Sequence, residues 1–514
     1  MVIDSKRIAK NTGFLYIRLL LVMGVNLYAA RVVLEVLGAT DYGLYYAVFS
    51  VVGLLSFLNG TLSGGTSRFI TYELGRGNIN QLKLTFDTTL VAHSLLAGII
   101  LILGETIGLW YASHVLVIPP ERFNAALIVY QVSVVSTILS IIQVPFTAEI
   151  IAHERMNVYA YLGIYEAIAK LAVVYLLEHT GFDKLELYAW LQGAVVFTVT
   201  IFNIYYSKLR FVEVSISFSF DRSIFISILK FSGWNIIANI SQTLMSQGVI
   251  MLYNLFFLPV VVAAQAIANQ IAQALSQLIN NVRQAVNPQI IKLYADEHHE
   301  ESKKLTLTSA EYIFYILLLV GVPCIMVMPQ LLSIWLVEVP EYAVSFGRLI
   351  IVQQIVGNFS SAFYTPMLAA NKLAKNSIAS VVLCIFQFCV LWLLFRMDFG
   401  PLWARYLGIL SAVLFSLVVK PYILWKDINY SIKDIYIRIG KCLMVLSCII
   451  LINLFIKLYF YTNPEKFSNF IIELVLSFIA TGIIICLFID KKTKTKILKY
   501  LNSKIIRNNK CTWE

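Results

Sequence analysis

Charge is what this chain of 514 residues has least of: 13% of its residues are charged against 59% hydrophobic, and its mean hydropathy is +0.77. A water-soluble protein of this length needs a charged shell, so the balance excludes that class and leaves one whose solvent is lipid. Cysteine is also sparse. The seven residues Cys324, Cys384, Cys389, Cys442, Cys448, Cys486 and Cys511 show neither Cys-x-x-Cys pairs nor a disulfide spacing, and all but Cys511 lie in apolar runs as small packing residues. Signatures of chemistry are missing too: there is no phosphate-cradling Gly-x4-Gly-Lys-Ser/Thr loop and no His-Glu-x-x-His helix. The adjacent His298 and His299 fall in the acidic stretch 296–301, which reads as a solvated loop. No resident cofactor or metal is expected, and the chain is not expected to be an enzyme.

Long apolar runs are what the sequence does have. A bilayer core of roughly 30 Å takes about 20 apolar residues of helix, and such runs predict an all-α integral membrane protein of about 14 transmembrane helices. Their expected positions are 12–36, 42–62, 86–110, 124–148, 158–178, 187–206, 231–256, 260–282, 306–328, 345–369, 377–396, 401–424, 439–460 and 468–489. The basic start, with Lys6, Arg7 and Lys10, leads into a run too long for a signal-peptide core and without a small-residue cleavage site. It is expected to stay as the first helix. With that end in the cytoplasm, most of the 40 lysines and arginines fall on the inside and only Arg122, Lys184, Arg396 and Lys466 outside. One missed helix would spoil this positive-inside asymmetry, so an even number of spans with both termini cytoplasmic follows. The net charge of +11 is thereby assigned to anionic headgroups and not to nucleic acid.

The two halves echo each other. Lys10-Asn11-Thr12-Gly13-Phe14 matches Lys230-Phe231-Ser232-Gly233-Trp234 at an offset of 220, Lys83-Leu84-Thr85-Phe86 matches Lys304-Leu305-Thr306-Leu307 at 221, and Pro145 and Pro366 also stand 221 apart. Six spans per copy make this a parallel repeat about an axis along the membrane normal. The expected organisation is an N-terminal lobe at 1–222, a C-terminal lobe at 223–430, and two further spans with a basic cytoplasmic tail at 431–514.

An ionisable residue inside the bilayer costs about 2.5 to 3.5 kcal/mol on insertion scales and needs a partner or water. Arg18, Arg31, Lys170, Arg348, Arg405, Lys420 and Lys457 lie within the expected spans. Lys420 beside Pro421, and Lys457, stand near span ends and can snorkel. Arg31 with Glu35, and Lys170 with Glu166, are spaced for pairing along one helical face. Arg18 has no acid within four residues and is the leading anion-binding candidate, Arg348 and Arg405 lie within about one turn of outer ends, and Arg68 guards an inner mouth. Polar side chains mark a lining as well. Gln270, Gln273, Gln277, Asn281 and Gln284 form one stripe on the eighth span, and Asn235, Asn239 and Gln242 another on the seventh. Interhelical hydrogen bonding accounts for part of these amides; a hydrated cavity between the halves accounts for the rest. Pro145, Pro259, Pro288, Pro323 and Pro366 are hinges or helix ends.

The segment Leu37-Gly38-Ala39-Thr40-Asp41-Tyr42-Gly43-Leu44-Tyr45, with Ser67-Arg68-Phe69 after the second span and Asn287-Pro288-Gln289-Ile290 closing the eighth, resembles Wzx-type polysaccharide flippases. Those proteins belong to the superfamily that also holds multidrug-and-toxin extruders and lipid II flippases. The resemblance implies two six-helix lobes around a cationic cavity that opens alternately to the two faces. It implies a cargo of undecaprenyl-pyrophosphate-linked oligosaccharide, carried from the cytoplasmic to the periplasmic leaflet of the bacterial inner membrane for surface polysaccharide (lipopolysaccharide O-antigen) biosynthesis, alongside other polysaccharide assembly proteins. Spans 13 and 14 would hold the lipid tail. No nucleotide site is present, so energy would come from a coupling ion, H+ or Na+, the membrane potential or product consumption. Two alternatives stand beside it: a drug/cation antiporter of the same fold, which needs an acidic and aromatic cavity, and a polysaccharide polymerase or ligase, which needs a large outer loop.

Overall fold

Leucine, isoleucine, valine and phenylalanine all round a helix leave it no wet face, and the backbone must then satisfy every donor internally, which only a helix does alone. The computed structural model describes residues 5–214, 217, 219–459 and 467–489, without the side chains of 5–20, 57–61, 231–232, 234–238, 285, 459 and 467–469. Helices and turns make up these residues, with no strand among them. Fourteen rods follow one another: 5–38 (α1), 39–76 (α2), Ile79–His114 (α3), Pro120–Ala152 (α4), Met156–His179 (α5), Lys184–Arg210 (α6), 222–256 (α7), Pro259–Ala295 (α8), 299–335 (α9), 343–369 (α10), Ala374–Arg396 (α11), Trp403–Ile428 (α12), Ile432–Tyr459 (α13) and Phe467–Phe488 (α14). Among the described residues ten helices are long and apolar enough to cross a membrane. Leu95, Ile99, Ile102 and Trp110 on α3, and Val382, Ile385, Phe386 and Leu393 on α11, are each at least half exposed. In water such patches would aggregate; in lipid they cost nothing. The chain is a multi-pass α-helical membrane protein.

Local chemistry sets the breaks. Gly38 turns α1 into α2 at φ 73°, a region that L side chains avoid. The two prolines of the repeat interrupt corresponding rods, α4 at Gln143 just ahead of Pro145 and α10 at Phe363 just ahead of Pro366, since proline has no N–H to bond the carbonyl one turn back. Segments of π-helix interrupt α3 at Gly104–Gly108, α7 at Leu244–Gly248 and α12 at Phe415–Val419. Asp183 and Asp221 cap α6 and α7, each accepting two backbone N–H bonds.

The described residues form two compact units. The first lies within Met1–Gln277, Ser333–Ile350 and Lys372–Ser411, the second within Leu278–Leu332, Ile351–Asn371 and Ala412–Glu514, so the grouping by contacts does not follow chain order. In the first unit α2 packs on α3, on the end of α4 and on α7, and α4 packs on α6. A cluster of Ile70, Leu82, Phe86, Leu90, Phe146, Phe211 and Val214 fills one end. The Leu37–Tyr45 segment acquires physical roles here. The carboxylate of Asp41 meets the Arg122 guanidinium at 2.7 Å, and Arg122 also pairs with the cap residue Asp183, tying three connections together. Tyr42 is buried and its hydroxyl accepts from Gln270 at 2.8 Å. At Gly43 the backbone of Pro259 comes so close that an added Cβ would lie 1.9 Å from the Pro259 carbonyl oxygen. Backbone cannot yield as a side-chain tip does, so Gly43→Ala is expected to cost about 1–3 kcal/mol and to lower the thermal midpoint in detergent; an unchanged midpoint would mean that α2 and α8 do not meet at this residue.

In the second unit α9, α13 and α14 pack on one another. Asn453 of α13 accepts from Ser477 and donates to Thr481 at 3.4 Å, all three buried, which is the polar glue that joins helices where water is absent. Between α12 and α13, Tyr430 donates to Thr306 at 3.2 Å, and burial pushes its phenol up to about 12, so it stays a neutral donor.

Candidate functional site

Two polar places stand out, one in each unit. In the first, α2, α4, α5 and α6 surround a cavity of about 270 Å³ lined by Tyr45, Phe49, Ser133, Ser136, Ser140, Gln143, Glu166, Lys170 and Gln192 among others. The expected pair forms: Lys170 Nζ lies 2.8 Å from Glu166 Oε1. Gln143 Oε1 accepts from Thr200 at 3.1 Å. Three serines on α4 follow the spacing of three and four that aligns one helical face, so the cavity offers hydroxyls, one neutralised ion pair and two aromatic rings.

In the second unit two cations meet no acid. Arg283 on α8 donates to Asn358 Oδ1 at 3.0 Å and leaves its Nε without a partner. Lys420, 6% exposed at the end of the π-helical turn in α12, donates to the Ser360 carbonyl at 2.5 Å and lies 5.4 Å from the Tyr364 ring. Neither has a carboxylate within ion-pair distance among the described residues. Asn358 is held in turn by donating to the Ala310 carbonyl, and Asn287 accepts from Thr365 one turn along the same seam. Carbonyl oxygens stabilise such cations without cancelling them.

The expected site residues are dispersed. Arg18 lies on α1 and Asn235 on α7, but their side chains are outside the described residues. Arg31 does not pair with Glu35; its Nη1 donates to the Ile334 carbonyl at 3.2 Å. Arg68 is exposed, with its guanidinium 5.9 Å from the Phe69 ring, and Arg348 is half-buried. Arg405 is buried, 6.0 Å from the Phe346 ring. The amide stripe divides: Gln270 binds Tyr42, Gln277 is half-buried with a free carbonyl oxygen, Gln273 is exposed and Asn281 half-buried. On α7, Asn239 is half-buried and Gln242 exposed. Lys170 alone of the set lines the cavity of the first unit. Missed altogether was Arg283, because it falls where the apolar run ends and the expected eighth span stops at 282; the helix continues to Ala295. Lys420 is buried and does not snorkel.

Comparison with solved structures gives the fold. A multidrug resistance MATE family transporter of the MOP superfamily in an inward-facing conformation superposes with a TM-score of 0.64 at 15% identity, over 80% of this chain and 94% of its own. The lipid II flippase MurJ, inward closed, gives 0.61 at 12% identity over 92% and 98%. A MOP superfamily transporter from Pyrococcus furiosus, described by a reverse polarity of its binding pocket, gives 0.53 at 14% over 83% and 96%. No protein-family model matches the chain, and no curated protein matches its sequence. The chain therefore has the fold of MOP-superfamily transporters and flippases.

Proposed function

We propose that the chain is a flippase of this fold that moves undecaprenyl-pyrophosphate-linked oligosaccharide from the cytoplasmic to the periplasmic leaflet of a bacterial inner membrane by alternating access. The lobes at 1–222 and 223–430, the appended 431–514, cytoplasmic termini, H+ or Na+ coupling and delivery to polysaccharide assembly proteins belong to the same proposal. One observation carries it: among the described residues, Arg283 and Lys420 are cations set into a membrane helix bundle and stabilised only by carbonyl oxygens and a ring. A pyrophosphate cannot cross hydrocarbon without such groups, whereas a polyprenyl tail can stay in lipid. Arg18, Arg31, Arg68, Arg348 and Arg405 are assigned to pyrophosphate contact, and the amides of α7 and α8 to sugar hydroxyls.

The antiporter reading has its own observation, the cavity with Glu166, Tyr45 and Phe49, where Lys170 already neutralises the acid. Reconstitution separates the two. Proteoliposomes carrying the purified chain are expected to expose fluorescent lipid-linked oligosaccharide to an external glycosidase and to leave a cationic dye undisturbed. Dye efflux driven by an ion gradient, with no oligosaccharide exposure, would replace the flippase by the antiporter.

A further inference from the structure

A third polar cluster lies apart from both places. Glu149 and His153, one turn apart at the end of α4, meet Glu213 from the connection that follows α6. His153 Nε2 lies 2.5 Å from Glu213 Oε1 and 3.7 Å from Glu149 Oε2, and one ligand atom from each residue falls within 4.8 Å of the others. Glu149 is fully buried, and neither of its carboxylate oxygens has a hydrogen-bond donor. Its neighbours Ala148 and Ile150 belong to the apolar cluster that also holds Phe86, Phe211 and Val214.

A carboxylate in such a place, facing a second carboxylate, is costly unless a cation or a proton joins it. The donor set is one imidazole nitrogen and two carboxylates, with the Glu and His one turn apart on a helix. Imidazole nitrogen and carboxylate oxygen are both zinc donors, and zinc held by three protein ligands keeps a fourth position for water. Zinc holds N and O ligands at about 2.0–2.2 Å, so tetrahedral ligand atoms stand roughly 3.3 Å apart. The observed separations bracket that value, and side-chain rotation closes the difference. His153 is stacked on Phe211 at 4.2 Å between ring centroids, which fixes the plane of its ring, and its 26% exposure leaves a way in for the ion and a place for the water. The connection itself is fastened nearby, because Ser217 donates to Asp87 and the Asp221 amide donates to Thr88 at 3.1 Å, so Glu213 is presented by an anchored segment.

We infer that Glu149, His153 and Glu213 form a zinc-class divalent metal site that pins the connection after α6 to the end of α4. The test uses the full chain in detergent with zinc chloride alone as probe. Wild type is expected to bind one zinc per chain, and Glu149→Gln and His153→Phe, the first isosteric and neutral and the second keeping the ring on Phe211, are expected to bind at least tenfold more weakly. Zinc is also expected to raise the thermal midpoint of wild type and not of the variants. Should either variant fail to fold, X-ray absorption at the zinc edge of the wild type decides, with a nitrogen and oxygen shell supporting the site. No zinc bound by wild type, equal binding by the variants, or a sulfur shell from cysteine would each overturn the inference, the first leaving a shared proton as the neutralising partner.

Discussion

Lys420→Met and Arg283→Ala are each expected to reduce oligosaccharide exposure in proteoliposomes by roughly ten- to a hundredfold, since a charge-assisted hydrogen bond is worth about 1.5–3 kcal/mol. The same substitutions are expected to leave the thermal midpoint unchanged or to raise Lys420→Met slightly. The two halves of this prediction belong together. A cation kept for stability is paired with an acid, and its loss strands that acid; among the described residues Lys420 and Arg283 have only carbonyl partners and a ring, so no acid is left behind. Burying an unpaired ammonium costs stability, and its persistence points to a ligand. Lys420→Arg keeps the charge and is expected to retain part of the activity. If both groups hold one anion, the double variant will be little worse than either single one, because effects on a shared partner are not additive. Full activity of Lys420→Met, or a fall in activity matched by a fall in the thermal midpoint, would remove these residues from the anion's path.

How far such residues are legible beforehand depends on the interaction that places them. The fourteen rods are legible because bilayer insertion reads hydropathy directly, and Gly38 and Gly43 are legible as a motif because backbone geometry allows nothing else there. Span ends are less so. The second rod continues through its Gly-Ser-Thr stretch to Arg76, past the apolar limit at 62, because α3, α7 and part of α4 pack against it. The eighth runs on beyond its last apolar stretch, which carries Arg283 from an expected loop into a helix. The i,i+4 pairs make the same point. Lys170 and Glu166 bond as spacing suggests, while Arg31 turns to a carbonyl 303 residues away. A surface pair of this kind is worth only about 0.2–0.5 kcal/mol, so a tertiary acceptor overrides it. Glu149 and Glu213 meet across 64 positions of sequence, a juxtaposition no local pattern encodes.

Glu311 is the other residue that local pattern hides, and it supports the largest expected change in stability. It is 1% exposed on α9 and is clasped by Arg438 and by Lys441 Nζ at 2.7 Å, both from α13 and both about a quarter exposed. Exposure makes the triad asymmetric. When Glu311 is replaced by Leu, the two long cationic side chains can swing towards water, and the loss is limited to the two ion pairs. When Arg438 and Lys441 are both replaced by Met, the carboxylate has nowhere to go, because its own helix and the packing of α9 on α13 and α14 hold it in place. An uncompensated buried charge costs about 3–5 kcal/mol. The double variant is therefore expected to lose several degrees more in thermal midpoint than Glu311→Leu, and the triple variant, with no charge left, to recover most of the difference. Equal losses for the double variant and Glu311→Leu would mean that the cations cannot reach water, and that the three charges act as one closed unit whose cost falls on whichever member remains.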